Sequence, residues 1–186
     1  GIDSTSRRLM AVAAERQIPR MIIINKIEEN AAGLPELVAQ IRETFGSICL
    51  PINLPTLKGK KVINVFEHDG HDSAGDQTDF SSVHEAHKNI VEQVIEVDEE
   101  LTMAYLEKGE GAGFDPEKLH AAFEKALGEA QLVPICFVSA KTGAGIDDLL
   151  HIFASLCPSP LEVNPPEFQI RKGFDAAGKP VEEDYN

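Results

Sequence analysis

The sequence predicts an α/β fold: part of a doubly wound parallel sheet, with a mixed α/β segment inserted between its elements. Three observations carry this. Met21-Ile22-Ile23-Ile24 and Leu132–Val138 are short unbroken apolar runs, the mark of parallel strands covered on both faces. Each run passes directly into a short polar motif and then a helix, and such strand–loop–helix units pack as neighbours in one sheet. More than a hundred residues separate the two polar motifs, far more than a loop connection spans.

Ser4–Glu15 reads as a helix capped by Ser4, with Leu9, Val12 and Ala13 as its apolar stripe and Pro19 as its stop. After the first strand, Leu37, Val38, Ile41 and Phe45 recur at helical spacing behind Pro35 and end at Gly46. β-like runs follow at Ser47–Leu54 and Lys61–Phe66, then a polar loop, Glu67–Asp79. Ser82 and Glu85 form a capping box for one long helix striped by Ile90, Val94, Val97, Leu101 and Tyr105. Asp115-Pro116 opens another helix, with Leu119, Ala122, Phe123, Ala126 and Leu127 on its apolar face. Beyond the second strand, Gly143 and Gly145 turn the chain into a helix striped by Ile146, Leu149, Leu150, Phe153 and Leu156. Asp147 and Asp148 stand in its first turn, where the helix dipole favours them. Pro158, Pro160, Pro165 and Pro166 then mark an extended linker with a polar, mobile tail. The expected organisation is therefore 1–47 and 131–158 in the sheet unit, 48–130 as the insertion, and 159–186 as linker.

With 186 residues, 42% of them apolar, the chain can bury the core of one or two domains. Seventeen basic against 31 acidic residues leave a net charge of -14. That balance argues against general binding of free nucleic acid, which needs clustered cations to release counterions. Cys49, Cys136 and Cys157 are widely spaced without a disulfide framework, as in a reducing cytosol. No apolar stretch approaches the ~20 residues of a bilayer span, and no signal peptide is visible, so the expectation is cytoplasmic. The opening Gly1-Ile2-Asp3 lacks an initiating Met, consistent with an excised piece or processed product.

Two motifs carry the chemistry. Asn25-Lys26-Ile27-Glu28 and Ser139-Ala140-Lys141 each follow an apolar strand at its carboxyl end, the edge at which open α/β sheets bind ligands. Either alone is weak, since strands often end in Asn-Lys; the two together, in this order, are specific. They resemble the paired guanine-recognition motifs of GTPases, N-K-x-D and S-A-K. The resemblance implies a guanine-binding set of Asn25, Lys26, Glu28, Ser139, Ala140 and Lys141. One carboxylate, at Glu28, can accept from both N–H donors on the guanine Watson–Crick edge as a charge-assisted pair. By the same resemblance the Asn25 amide reaches N7 and ties the loops together, and the Ala140 N–H donates to O6. The stems of Lys26 and Lys141 sandwich the base.

The wider text narrows the family. Ile18–Lys26, Tyr105-Leu106-Glu107, Ser139–Lys141 and Leu156-Cys157-Pro158-Ser159-Pro160 resemble elongation factor G and its paralogues. This implies a P-loop GTPase-type sheet with an inserted subdomain, GTP/GDP as ligand, a Mg ion in the intact protein, and the ribosome as partner. It also implies a contact between the insertion and the ribosomal stalk protein, for which the acidic run Glu92, Glu96, Asp98, Glu99 and Glu100 is the candidate surface. That run otherwise reads as a solvated face. Two departures stand out: Glu28 replaces the family's Asp, and the chain has no G-x-x-x-x-G-K-[ST] phosphate loop. The chain is therefore expected to hold no catalytic residue and no Mg ligand, and not to hydrolyse GTP alone. The rival readings are a non-catalytic ribosome- or protein-interaction module derived from a G domain, and a GTPase of another branch. The long insertion argues against the last.

The remaining motifs have plain readings. His68-Asp69-Gly70-His71-Asp72 is a polar turn before it is a metal site. His84 and His87 read as solvated residues near a cap, and Gly109–Gly113 as a helix connection. Asp72–Gly75 and Asp175–Gly178 spell D-x-x-G in the wrong order for a switch.

Overall fold

The computed structural model describes residues 2–66, 78–109 and 113–157, together with the backbone of 169–174 and 180–184. In chain order the elements are α1 (Ser4–Glu15), β1 (Ile22–Ile24), a 3-10 turn (Ala31–Gly33), α2 (Leu34–Phe45), β2 (Cys49–Pro51), β3 (Asn53–Thr56) and β4 (Lys61–Asn64). There follow α3 (Val83–Ile95), α4 (Glu99–Lys108), α5 (Pro116–Gly128), β5 (Val133–Phe137), α6 (Ile146–Ser155), β6 (Gln169–Phe174) and β7 (Pro180–Asp184).

The centre is a parallel sheet of order β1-β5-β2, so the two apolar runs are hydrogen-bonded neighbours. All five residues of β5 are buried. Pro134 is tolerated in this central strand because of which neighbour its position faces. Val133 donates to Ile48 and Ile135 accepts from Ile52, both on the β2 side. Pro134 faces the other way, where pairing with β1 begins only at Ile135. Cys49–Pro51, expected inside the insertion at 48–130, is thus a strand of the central sheet. It pairs in parallel register with β5 from Cys49 to Pro51.

The chain then leaves the sheet, and a side chain takes over the pairing. Asn53, wholly buried, accepts from the Phe137 N–H (2.7 Å) and donates to the Phe137 carbonyl (3.1 Å), so its amide stands in for a neighbouring peptide. β3 pairs antiparallel with β4, and α3 and α5 pack behind them. Ile52, Leu54, Ile90, Val94 and Phe123 share one core with Ile27, Ile135 and Phe137, and the Phe80 and Phe137 rings meet at 5.7 Å.

Several local expectations change. Asp3, not Ser4, caps α1, accepting from the Ser6 N–H at 2.6 Å. The predicted stripe of α1 is largely exposed at Leu9 and Val12, and Ile23 is 45% exposed. β1 is the edge of the described sheet, so its outer face is uncovered rather than sandwiched. The single long helix is two, because Asp98 accepts from the Leu101 N–H and starts α4 afresh. In α6 the buried contacts are Ile152 and Leu156, while Leu150 and Phe153 face outward. Within the expected linker, β6 and β7 pair antiparallel. No helix among the described residues is long and apolar enough to cross a membrane.

Removing the Asn53 amide leaves both backbone groups of Phe137 buried without a partner, at about 1–3 kcal/mol per lost bond. Asn53→Ala is therefore expected to lower the unfolding free energy by roughly 2–4 kcal/mol in a urea titration. An effect below about 0.5 kcal/mol, the size of an ordinary surface change, would refute the surrogate-peptide reading.

Candidate functional site

Parallel strands end on the same side, so β1 and β5 deliver their following residues to one edge. The pairing runs on past the strands: the Val138 N–H donates to Ile24 (2.9 Å) and the Ile27 N–H to Val138 (3.4 Å). Asn25 then bridges the two loops. Its Oδ1 accepts from the Lys26 N–H at 2.8 Å and from the Ala140 N–H at 3.0 Å, across 115 residues of sequence. The first of these bonds steadies Lys26 in a left-handed conformation (φ 66°), which an L residue adopts at about 1 kcal/mol or more. Such strain concentrates at ligand sites. The Ala140 N–H, expected to face a base oxygen, is thus held by Asn25 here.

The second loop closes on itself. The Thr142 N–H donates to the Ser139 hydroxyl oxygen (3.1 Å), the Gly143 N–H to the Ser139 carbonyl, and the Ser139 N–H to Ala144 (2.8 Å). Gly145 enters α6 with φ 72°, and any β-carbon there would collide with the Phe137 carbonyl. Ser139 is fully buried beneath this loop, whereas Asn25, Lys26, Ala140 and Lys141 are exposed.

Glu28 completes the set. Both carboxylate oxygens are shielded from solvent, each exposing less than 1 Å², and neither has a partner of hydrogen-bond geometry. The residue nevertheless lies at the protein surface, so the shielding is local. The Ser139 hydroxyl, by its proximity, is the main influence holding this carboxyl below the usual range; the Glu28 backbone and the Lys141 and Lys26 charges add to it. An ionised carboxylate with unmet acceptor capacity, at a strand edge between two lysines, fits a ligand bearing adjacent N–H donors. The purine edge of guanine is such a ligand. The sequence-predicted six residues are therefore all brought to one edge.

Sequence reasoning passed over Thr142, which closes the second loop, and Asn53, which holds the end of β5. An Asn between Ile52 and Leu54 in an apolar run was the available signal for the second. Other expectations resolve locally. His87 Nδ1 lies 2.8 Å from the Val65 carbonyl, and the described residues hold no cluster of three or more metal-ligating side chains. The His68–Asp72 turn and both D-x-x-G strings lie outside the described residues, as does the middle of Gly109–Gly113. In the acidic run, Glu92 accepts from the Tyr105 hydroxyl, Glu96 from Gln93, and Glu100 pairs with Lys118, while Asp98 caps α4.

Comparison with known proteins identifies the family. Residues 1–159 match the family model described as the elongation factor Tu GTP binding domain. An elongation factor G-like protein of Thermotoga maritima is 26% identical over 99% of this chain and 28% of its own length. Elongation factor G of Fervidobacterium nodosum is 27% identical over 98% of this chain and 27% of its own. A crystal structure of a Thermus thermophilus protein superposes with a TM-score of 0.68 at 27% identity, covering 87% of this chain and 26% of that one. The chain spans little more than a quarter of the length of these relatives.

A carboxyl whose folded pKa is depressed contributes stability above its unfolded pKa and loses it as pH falls through the folded value. Glu28 is expected to titrate below the usual glutamate range in a carboxyl-detected NMR titration, and Ser139→Ala to move it upward. A Glu28 midpoint within or above that range in the unsubstituted chain would contradict the site electrostatics.

Proposed function

The chain belongs to the elongation factor Tu GTP-binding domain family and is elongation-factor-G-like; on that premise we propose that it supplies guanine recognition to a translational GTPase acting on the ribosome. The observation that carries this is Glu28: two shielded, unpartnered carboxylate oxygens placed beside the Asn25–Ala140 bridge. In this reading Glu28 accepts from the base N1–H and exocyclic amine, while Asn25 and the Ala140 N–H sort between the N7 and O6 positions. Lys26 and Lys141 cover the faces of the ring, and Ser139 keeps Glu28 ionised. Binding GTP in place of GDP is what would switch such a factor between ribosome-bound states. This chain's residues hold the base; the sequence has no phosphate-loop motif, so in this reading the chain alone does not turn GTP over.

The acidic run on α3 and α4 is the proposed contact with the ribosomal stalk protein. Glu96 and Glu99 carry the proposal: Glu92, Asp98 and Glu100 are engaged within the chain, and Glu96 gives one oxygen to a long bond from the Gln93 amide (3.3 Å). Reversing both charges without weakening a titration against the stalk protein would remove it. A cytoplasmic location follows from the same reading.

Amide shifts at Ile27, Glu28, Ala140 and Lys141 are expected to saturate with GDP at concentrations at least about tenfold lower than with ADP, the worth of a single hydrogen bond. The extra methylene of Glu28 displaces its carboxylate by about 1.5 Å relative to Asp. Glu28→Asp is therefore expected to tighten GDP binding by roughly three- to tenfold, the worth of one better hydrogen bond. Equal responses to GDP and ADP would leave the non-catalytic interaction module as the reading. Measurable GTP turnover by the chain would overturn the division of labour.

A further inference from the structure

The β3–β4 turn belongs to the inserted segment, yet it stands against the first recognition loop. Leu57, Lys58 and Gly59 are three successive left-handed residues (φ 53°, 58° and 73°), which bend the chain sharply back. Gly59 is buried, and a β-carbon built on it would lie 2.6 Å from the Ile27 carbonyl carbon and 3.0 Å from the Glu28 nitrogen. Only a glycine lets the turn press this closely on the peptide that carries Glu28. The turn is itself held from behind. The Gly59 N–H donates to the Asp79 carboxylate (2.9 Å), and the Asp79 N–H donates to the Pro55 carbonyl (2.9 Å). One strand further on, the Val62 methyls approach Gly145 at the base of the second loop, 3.3 Å from where a β-carbon there would stand. The hairpin therefore backs both recognition loops, at the Ile27–Glu28 peptide and at the Gly143–Gly145 turn.

We propose that the Leu57–Lys60 turn is a positioning element for base recognition: Gly59, tethered by Asp79, sets where the Glu28 carboxylate stands. The assignment rests on the guanine reading above and extends it to residues that touch no ligand. Glu28 hangs on the peptide that Gly59 abuts. A shift of that peptide by a fraction of an ångström moves a bidentate acceptor out of register with two parallel donors, whereas a contact to a single donor tolerates it. The effect is thus specific to the second donor of the base, its exocyclic amine.

The test compares GDP with inosine diphosphate, whose base lacks that amine, by competition titration on the chain. The unsubstituted chain is expected to prefer GDP by about tenfold, the worth of one charge-assisted bond. Gly59→Ala is expected to bring the ratio to about one while changing inosine diphosphate binding less than about threefold. Asp79→Ala is expected to lower the ratio in the same direction, and Asp79→Asn, which keeps an acceptor oxygen, to restore it. Gly128→Ala, at a position with open space around it, serves as the unaffected control. If Gly59→Ala does not fold, the Asp79 pair decides. Equal loss of both nucleotides at an unchanged ratio would make the turn merely structural and overturn the assignment. Glu28→Gln separates the two levels. If it leaves the ratio unmoved, the guanine reading itself falls. If it abolishes the preference while the Gly59 and Asp79 variants retain it, only the positioning role falls.

Discussion

The site depends on one constraint, the parallel pairing of β1 with β5 to its last residue. Because parallel strands end on the same side, two motifs 115 residues apart leave the sheet together. The bonds from Val138 to Ile24 and from Ile27 to Val138 extend that pairing into the motifs themselves. An antiparallel arrangement of the same two runs would place their ends on opposite sides of the sheet. β5 can serve as the reference because it is buried along its full length and has a partner on each flank.

On its other flank β5 is completed by a side chain. β2 accompanies it only as far as Ile135, and the Asn53 amide then satisfies Phe137. This substitution lets the chain diverge into β3 without orphaning backbone groups two residues before the second motif begins. It also means that the inserted elements are not a separate bead on the sheet. They share its core, and their hairpin reaches the recognition loops through Gly59 and Val62.

The electrostatics of the edge invert those of the whole chain. Against a net charge of -14, the two loops concentrate Lys26 and Lys141 around one carboxylate whose nearest polar neighbour is the Ser139 hydroxyl. Leaving buried acceptors unmet is costly, so the shielded Glu28 oxygens mark this edge out from the rest of the surface. The acidic helices of the insertion behave differently, meeting most of their carboxylates with hydroxyl, ammonium or capping partners.

Much of this was legible in the linear text. The two strands, the helices α1, α2, α5 and α6, and the two motifs at strand ends follow from apolar runs, 3.6-residue periodicity and turn residues, which are local properties. Resemblance to elongation factor G was legible for the same reason, since its motifs are short contiguous strings. What the text misplaced was decided by contacts between distant residues. Cys49–Pro51 became a sheet strand because β5 lay beside it, and Ile23 stayed half exposed because nothing described covers that edge. The break between α3 and α4 was local, but an unbroken apolar stripe concealed the capping power of Asp98. By itself the sequence determined which two short motifs stand at the carboxyl ends of the sheet strands. Only the tertiary structure decided that Glu28 would be left without a partner and that Gly59 would stand behind it. Shielding and close approach are properties of packing, and no periodicity in a chain encodes them.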